Sequence, residues 1–362
     1  MTPAARAAAA IELLDDIAAG ADPADTIISE YFRRRRYAGS GDRRTVRDHV
    51  YAVLRDLGLL KWRIGQAGGD GDDARSWLIA EIVARAPSDL EALFSGGKFG
   101  PAPLSDEEAT LAEHLADPRE APPRWAQLNC PEWLLEHFDR AFPQTCDVEV
   151  QALNAAAPVD LRVNVLRTSR EKVQDYLRDE GHLVDPTPLS PVGLRAAGWL
   201  PLANTKAFKD GLVEVQDESS QMLALTVGAQ PGERVADLCA GAGGKTLALA
   251  AMMENSGEIL AADISPSRLR RMAPRLQRAG VTIAHTTTID VAALADAVDP
   301  CDRVLIDAPC SGTGAWRRHP EARWHLTTAQ LDDDVVIQAK LLRDGARLVR
   351  PGGRLIYATC SL

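Results

Sequence analysis

The run Arg234-Val235-Ala236-Asp237-Leu238-Cys239-Ala240-Gly241-Ala242-Gly243-Gly244-Lys245-Thr246 decides how this chain folds. Five mostly apolar residues make a strand, a glycine-rich turn follows, and residues 244–253 carry helical patterning. The same unit then repeats downstream. Residues 258–263 read as a strand and 265–279 as a helix capped by Ser265-Pro266. Residues 282–288 make a strand, 291–298 a helix and 303–307 a strand, and a long helix over 327–349 leads to a strand over 354–359. Strands alternating with helices predict a parallel sheet covered on both faces. Ligands in such sheets bind beyond the carboxyl ends of the strands.

Upstream the pattern changes twice. Residues 160–165 are strand-like, 169–180 form an amphipathic helix with Ser169 or Thr168 as its cap, and Gly181 ends it. Short strands at 183–184, 193–195 and 212–215 complete a small α+β module. Before residue 140 the chain reads as helix throughout. Thr2 caps a first helix with Pro3 in its first turn, and Ile11, Leu14 and Ile17 recur at helical spacing. Further helices are expected over 26–36, 42–57, 74–85, 106–115 and 131–142, separated by glycine- and proline-rich joints at 68–71 and 96–103. The expected division is therefore a multidomain chain: an all-α domain over 1–145, the α+β module over 146–222 and the α/β domain over 223–362.

Composition narrows the function. With 46% hydrophobic and 25% charged residues, the 362-residue chain suits a globular protein with a sizeable core. No apolar run approaches the roughly 18 residues of a membrane span. The alanine-rich start carries Glu12, Asp15 and Asp16, which does not fit a secretory signal, so a cytoplasmic protein with no membrane partner is expected. A net charge of −10 weighs against a nucleic-acid partner, but the basic residues cluster. Arg33, Arg34, Arg35, Arg36, Arg43, Arg44, Arg47, Arg55, Lys61 and Arg63 face only Asp42, Asp48 and Asp56 over the same span. Alone, such a run reads first as a solvated helix face. The six cysteines, at 130, 146, 239, 301, 310 and 360, form no C-x-x-C pair and no zinc-like spacing, so free thiols and no metal are expected.

The glycine loop admits three kinds of ligand. A nucleotide P-loop fits the Gly244-Lys245-Thr246 ending but wants glycine where Cys239 stands. A dinucleotide is the second, and S-adenosylmethionine the third. Asp263 ends the next strand, where a carboxylate can take hydrogen bonds from both hydroxyls of an adenosine ribose, and Asp290 ends the third, in reach of an adenine amino group. Either adenosine cofactor fits that pattern.

Two later strands speak to the reaction. One runs through Ile306-Asp307-Ala308-Pro309-Cys310 and the other through Tyr357-Ala358-Thr359-Cys360, so each delivers a cysteine to the ligand edge. Cytosine C5 is a poor nucleophile. A thiolate adding at C6 turns the ring into an enamine-like species able to attack an activated methyl group. A carboxyl group at N3, for which Asp307 is the candidate, would stabilise the charge that develops. The C5 proton must then leave and the thiol be expelled, a step a second cysteine can assist.

The segments 237–246, 262–265, 307–314 with Arg317-Arg318-His319-Pro320, and 357–362 closely resemble those of the RsmB/Nop family of S-adenosylmethionine-dependent RNA cytosine-5 methyltransferases. Leu161-Arg162-Val163-Asn164 and the stretch 215–220 are similar to the family's opening segments. The resemblance implies a Rossmann-like class I methyltransferase domain, a ferredoxin- or RRM-like module and, more loosely, an N-terminal NusB-like RNA-binding domain. It implies Cys360 as nucleophile, Cys310 as the residue aiding release and Asp307 beside them. It places the cofactor on Cys239, Ala240, Gly241, Ala242, Gly243, Gly244, Lys245, Asp263, Arg268, Asp290 and Asp307. RNA, ribosomal by default, would lie on Arg33, Arg34, Arg35, Arg36, Arg43, Arg44, Arg162, Asn164, Arg317 and Arg318, with the protein a monomer. Methylation of transfer RNA and a non-catalytic ribosome-assembly role are the alternatives. Two departures stand out. Gly241-Ala242 replaces the family's usual Ala-Pro, and the chain stops after its fifth strand, where class I sheets usually have seven, so a C-terminal truncation and an uncovered edge are expected.

Overall fold

The computed structural model describes every residue except Ala21, Pro118, Arg119 and Trp199. The chain forms two compact units: Met1–Ala157 with Gly312–Thr327 and Ser361–Leu362, and Pro158–Ser311 with Thr328–Cys360.

Among its described residues the first unit is helical, with long helices at Pro3–Ala19, Ala24–Arg34, Ser40–Gln66, Ala74–Arg85 and Asp106–Ala116. The hydroxyl of Thr2 accepts a hydrogen bond from the Ala5 amide at 3.1 Å, as its cap position predicts. Leu13, Leu14 and Ile17 of the first helix are buried with Val50, Val53 and Leu54 of the third and Leu78 and Ile79 of the fourth. Each such side chain contributes about 1.5–3 kcal/mol through burial. The Ser40–Gln66 helix outruns its predicted end at 57 because Gly58 has a packing role: a Cβ there would lie 2.7 Å from the Trp324 ring.

Residues 312–327 account for much of this unit's polar interior. Trp316 is fully buried with its ring 5.8 Å from that of Phe138. Arg323, also fully buried, donates to the carbonyls of Asn129 at 2.6 Å and Leu153 at 3.2 Å. The Ala24–Arg34 helix has no local side-chain cap; Glu321 accepts the Ala24 amide at 2.9 Å instead. An isolated carboxylate would not stay buried at 4% exposure; this one has the helix N-terminus and, at 3.6 Å, His319.

The second unit contains two sheets. The smaller is antiparallel in the order β2-β3-β1-β4, with β1 at Asp160–Val163, β2 at Val184–Pro186, β3 at Gly193–Ala196 and β4 at Val213–Val215. Leu161 faces Leu194 on one side and Val215 on the other. The Arg170–Asp179 helix is capped by the Ser169 hydroxyl, and Gly181 follows with φ of +82°. The larger sheet is parallel in the order β7-β6-β5-β8-β9. Its strands are β5 Arg234–Leu238, β6 Glu258–Ala262, β7 Ala284–Thr287, β8 Cys301–Asp307 and β9 Val349–Ala358. The two-residue period separates two cores: Val235, Ile259 and Leu305 pack on one face, and Ala236, Leu238, Leu260, Val304 and Ile306 on the other.

Some local expectations are corrected. The strand predicted from 354 begins at Val349. The stretch after β4 forms a helix, Glu218–Val227, that periodicity did not single out. Ser265 makes no side-chain cap for the Pro266–Ala279 helix; the Asp263 carboxylate takes the Ser265 amide at 2.8 Å instead. No helix among the described residues is long and apolar enough to cross a membrane.

Candidate active site

β5 delivers the chain to the glycine loop at the centre of the parallel sheet. Turning from strand into helix over so few residues demands left-handed backbone: Cys239, Gly241 and Gly243 have φ of +62°, +57° and +82°. Glycine is required at 243, where a Cβ would meet Met272 at 2.4 Å. Hydrogen bonds fix the turn. The Ala240 amide donates to the Ala262 carbonyl, the Gly243 amide to the Ala240 carbonyl, and the Gly241 amide to Asp263 Oδ2 at 2.8 Å. The helix Gly244–Met252 begins there, presenting the unpaired first-turn N–H groups of any helix.

A cavity of about 300 Å³ lies against this loop. Its walls come from Val215, Gln216, Asp217 and Ser220, from Asp237 and the loop through Lys245, from Arg268 and Arg275, and from Asp307. Lys245 Nζ pairs with Asp307 Oδ2 at 2.6 Å. Asp237 is fully buried; Thr246 donates to its Oδ2 at 2.6 Å, and its Oδ1 has no hydrogen-bond partner. Burial pushes this carboxyl up to about 6. Burial also pushes the Cys239 thiol up to about 12, with Asp263, Asp237 and Asp307 adding to the effect, which leaves it a neutral packing group.

At the same edge of the sheet, β8 and β9 lie side by side with Asp307 opposite Ala358. Their continuations place Cys310 Sγ 3.4 Å from Cys360 Sγ. Cys310 is half-buried and Cys360 exposed. The hydrogen bond with Cys310, then burial, then the charges of Cys310 and Asp307, drive the Cys360 thiol far above its ordinary value. At rest Cys360 is a protonated thiol.

Other residues singled out in the sequence have different surroundings. Asp263 is buried and committed to the Gly241 and Ser265 amides, with Arg268 at 3.4 Å. Asp290 does not line the cavity; it caps the Val291–Ala297 helix and pairs with Lys340 at 2.8 Å. Arg162 and Asn164 require correction as RNA contacts. Arg162, 5% exposed, donates to the Gly244 carbonyl at 2.6 Å and to Gln216. The Asn164 amide donates to the carbonyls of Gly211 and Ala279, each at 2.9 Å, and its oxygen takes the Leu166 amide. In the first unit, Arg317 donates to the carbonyls of Ala155 and Ala156, and Arg318 is half-buried. Arg35 pairs with Glu12 and stacks on Tyr31, and Arg43 donates to the Ala38 carbonyl. Arg33, Arg34, Arg36 and Arg44 are exposed.

Sequence reasoning missed Asp237, Gln216, Asp217, Ser220 and Arg275 as cavity residues. For Arg275 a signal existed: it stands two helical turns after Arg268, on the face that carries Met272.

A central strand feeding a glycine loop, flanked by a charged cavity and two strand-end thiols, is the arrangement of a methyltransferase-type parallel sheet; the smaller sheet accompanies it as a ferredoxin-like domain. Residues 224–362 match the family described as 16S rRNA methyltransferase RsmB/F, and residues 130–202 match the ferredoxin-like domain of RsmF/B-like methyltransferases. These two stretches are thus similar to the catalytic and ferredoxin-like parts of the RsmB/F methyltransferases. It is 35% identical over 243 residues to the probable ribosomal RNA small subunit methyltransferase B of Synechocystis, an alignment covering 65% of this chain and 54% of that protein. The match thus spans about half the length of that relative. Among solved structures, PH0851 is similar with a TM-score of 0.83 and 25% identity, over 99% of this chain and 86% of that one. A methyltransferase homolog from Pyrococcus horikoshii follows with a TM-score of 0.59 and 28% identity, over 66% of this chain and 76% of that one.

Proposed function

We propose that the protein transfers a methyl group from S-adenosylmethionine to C5 of a cytosine in RNA, with small-subunit ribosomal RNA as the substrate class. The observation that carries this reading is the pair of thiols 3.4 Å apart at the ends of β8 and β9, on the strand edge where Asp307 meets Lys245. Buried structural cysteines have no need of a shared ligand edge; a covalent addition and its reversal need two proton-handling groups there.

The cavity lining favours this donor over a nucleotide. Carboxylates of Asp217, Asp237 and Asp307 stand among the cations Lys245, Arg268 and Arg275. That mixture suits a ligand bearing a carboxylate, an ammonium and a sulfonium, whereas a polyphosphate would meet three negative side chains and a lysine already paired. The loop 239–245, with Arg268 and Asp307, would hold the donor; Asp263 acts by shaping the loop. When bound, the donor supplies an electrophilic methyl group. Cys360 gives up its proton, by way of Asp307, to N3 of the target base and adds to C6, so that C5 becomes nucleophilic. Asp307 with Lys245 holds N3 and stabilises the charge that addition creates. Once C5 carries the methyl group its proton passes to water, the C5=C6 double bond re-forms as the Cys360–C6 bond breaks, and the departing thiolate takes a proton from Cys310, in hydrogen-bonding distance, which solvent then reprotonates.

The helical residues 1–145 act as a NusB-like RNA-binding part, with Arg33, Arg34, Arg36 and Arg44 offering guanidinium groups to phosphate. Residues 146–222 and 223–362 serve as the small module and the catalytic part of a monomeric cytoplasmic enzyme. The test is incubation with tritium-labelled S-adenosylmethionine and RNA from cells lacking the gene. Label recovered as 5-methylcytosine, lost in Cys360→Ala, and a denaturation-resistant RNA adduct with Cys310→Ala are expected. A folded protein that binds RNA but yields no label would move the reading to a non-catalytic assembly factor.

A further inference from the structure

The glycine loop is gripped by two arginines as well as by its own turn. Arg275 Nη1 donates to the Ala242 carbonyl at 2.6 Å, while its Nε and Nη2 hold Glu214 Oε2 at 3.1 and 3.0 Å. Arg162 Nη1 donates to the Gly244 carbonyl at 2.6 Å and to the Gln216 side chain. The anchors behind both come from the small antiparallel sheet: Arg162 is in β1, Glu214 in β4, and Gln216 follows β4 directly. Glu214 is buried at 4% exposure, and Arg278 pairs with it as well.

We propose that Arg275 and Arg162 are positioning residues for the methyl-donor site, fixing the Ala242 and Gly244 carbonyls so that the loop is preset for its ligand, and that donor affinity therefore depends on β1 and β4 of the small sheet. This rests on the reading of the cavity given above. A guanidinium suits the role because its rigid planar fork directs separate nitrogens at a carboxylate and a carbonyl, whereas an ammonium offers a single nitrogen with freely rotating donors. Presetting matters because ordering a loop on binding subtracts from affinity. If these contacts served only to bury an ion pair, the loop carbonyls would not be needed. Arg278 supplies the comparison: it shares Glu214 and stacks 4.1 Å over the Phe208 ring, with no loop carbonyl among its hydrogen bonds.

The experiment compares Arg275→Met with Arg278→Met in the full chain. Calorimetric titration with S-adenosylmethionine and amide hydrogen exchange across residues 239–246 are the readouts, with thermal melting as the folding check. Arg275→Met should raise the donor Kd about tenfold and speed loop exchange, with KM for the donor rising and kcat at saturation little changed. Arg278→Met should alter both within about twofold. Should Arg275→Met melt too low to assay, Arg275→Lys keeps the charge beside Glu214, loses the fork, and is read in the same way. Arg162→Lys should repeat the effect through Gly244. Equal behaviour of the Arg275 and Arg278 variants, in a protein that binds the donor, overturns this proposal alone. Failure of the unaltered protein to bind S-adenosylmethionine overturns the cavity reading and this proposal with it.

Discussion

The end of β5 and the ends of β8 and β9 share one edge of one sheet, yet they are held very differently. After β5, the backbones of Ala240, Gly241, Ala242, Gly243 and Gly244 are each hydrogen-bonded to strand, carboxylate, guanidinium or turn. Beyond β8 and β9, Cys310 is half-buried and Cys360 exposed, and the thiols face one another at 3.4 Å. The difference separates two tasks. A binding loop gains from being fixed beforehand, because order already present is not subtracted from affinity. The mechanism proposed for Cys360 asks instead that a bond form and break in each turnover, and there the side chain is kept as a neutral thiol beside a second thiol that can return a proton to it.

The sharpest way to break this contrast is Cys360→Ala. Methyl transfer should fall on the order of 1,000-fold or more, while donor binding by calorimetry stays within about twofold. A similar loss of donor affinity would mean that the two regions are one.

The next largest effect concerns Asp237, beneath the loop. Burial raises its carboxyl from 3.8 to about 6, so the folded state holds the proton more tightly than the unfolded chain does. The resulting stabilisation is complete below pH 3.8 and is lost as pH rises through about 6, a difference of about 3 kcal/mol. Asp237→Asn should therefore gain stability relative to the unaltered protein between pH 4 and 7, as melting temperatures over that range would show. Parallel melting curves would mean that this carboxyl does not titrate on folding.

Cys310→Ala tests the other region. The hydrogen bond with Cys310, which favours the protonated form of Cys360, is the largest cause of the raised thiol, so removing it should move alkylation of Cys360 by iodoacetamide to lower pH. The rate at pH 8 should rise about tenfold. An unchanged profile would leave burial as the dominant cause. The smallest effects belong to the arginine run: Arg34→Ala and Arg36→Ala should each weaken RNA binding severalfold and lower the salt slope by about one, with donor affinity unchanged.

Much of this was legible in the chain itself. The alternation after residue 234, the glycine turn and the two cysteines carried to strand ends follow from periods of two and 3.6, which neighbouring residues set. The caps at Thr2 and Ser169 follow from side chains reaching amides three residues on. Other features had no local sign. Arg162 and Asn164 were candidates for RNA through the family resemblance, but their donors go to the carbonyls of Gly244, Gly211 and Ala279. Asp290 was expected at the cofactor, yet it caps a helix and pairs with Lys340. Glu321 caps a helix that starts at residue 24, and Arg275 joins β4 to the glycine loop.

The sequence by itself thus determined most of the strands and helices, and that the glycine loop, Asp307 and two cysteines end at one edge of the parallel sheet, because both depend on short-range periodicity. Tertiary structure alone decided which arginine meets a carbonyl and which carboxylate meets an amide. Those pairings join residues tens to hundreds of positions apart, and a buried polar group must take whatever partner the packed fold brings to it.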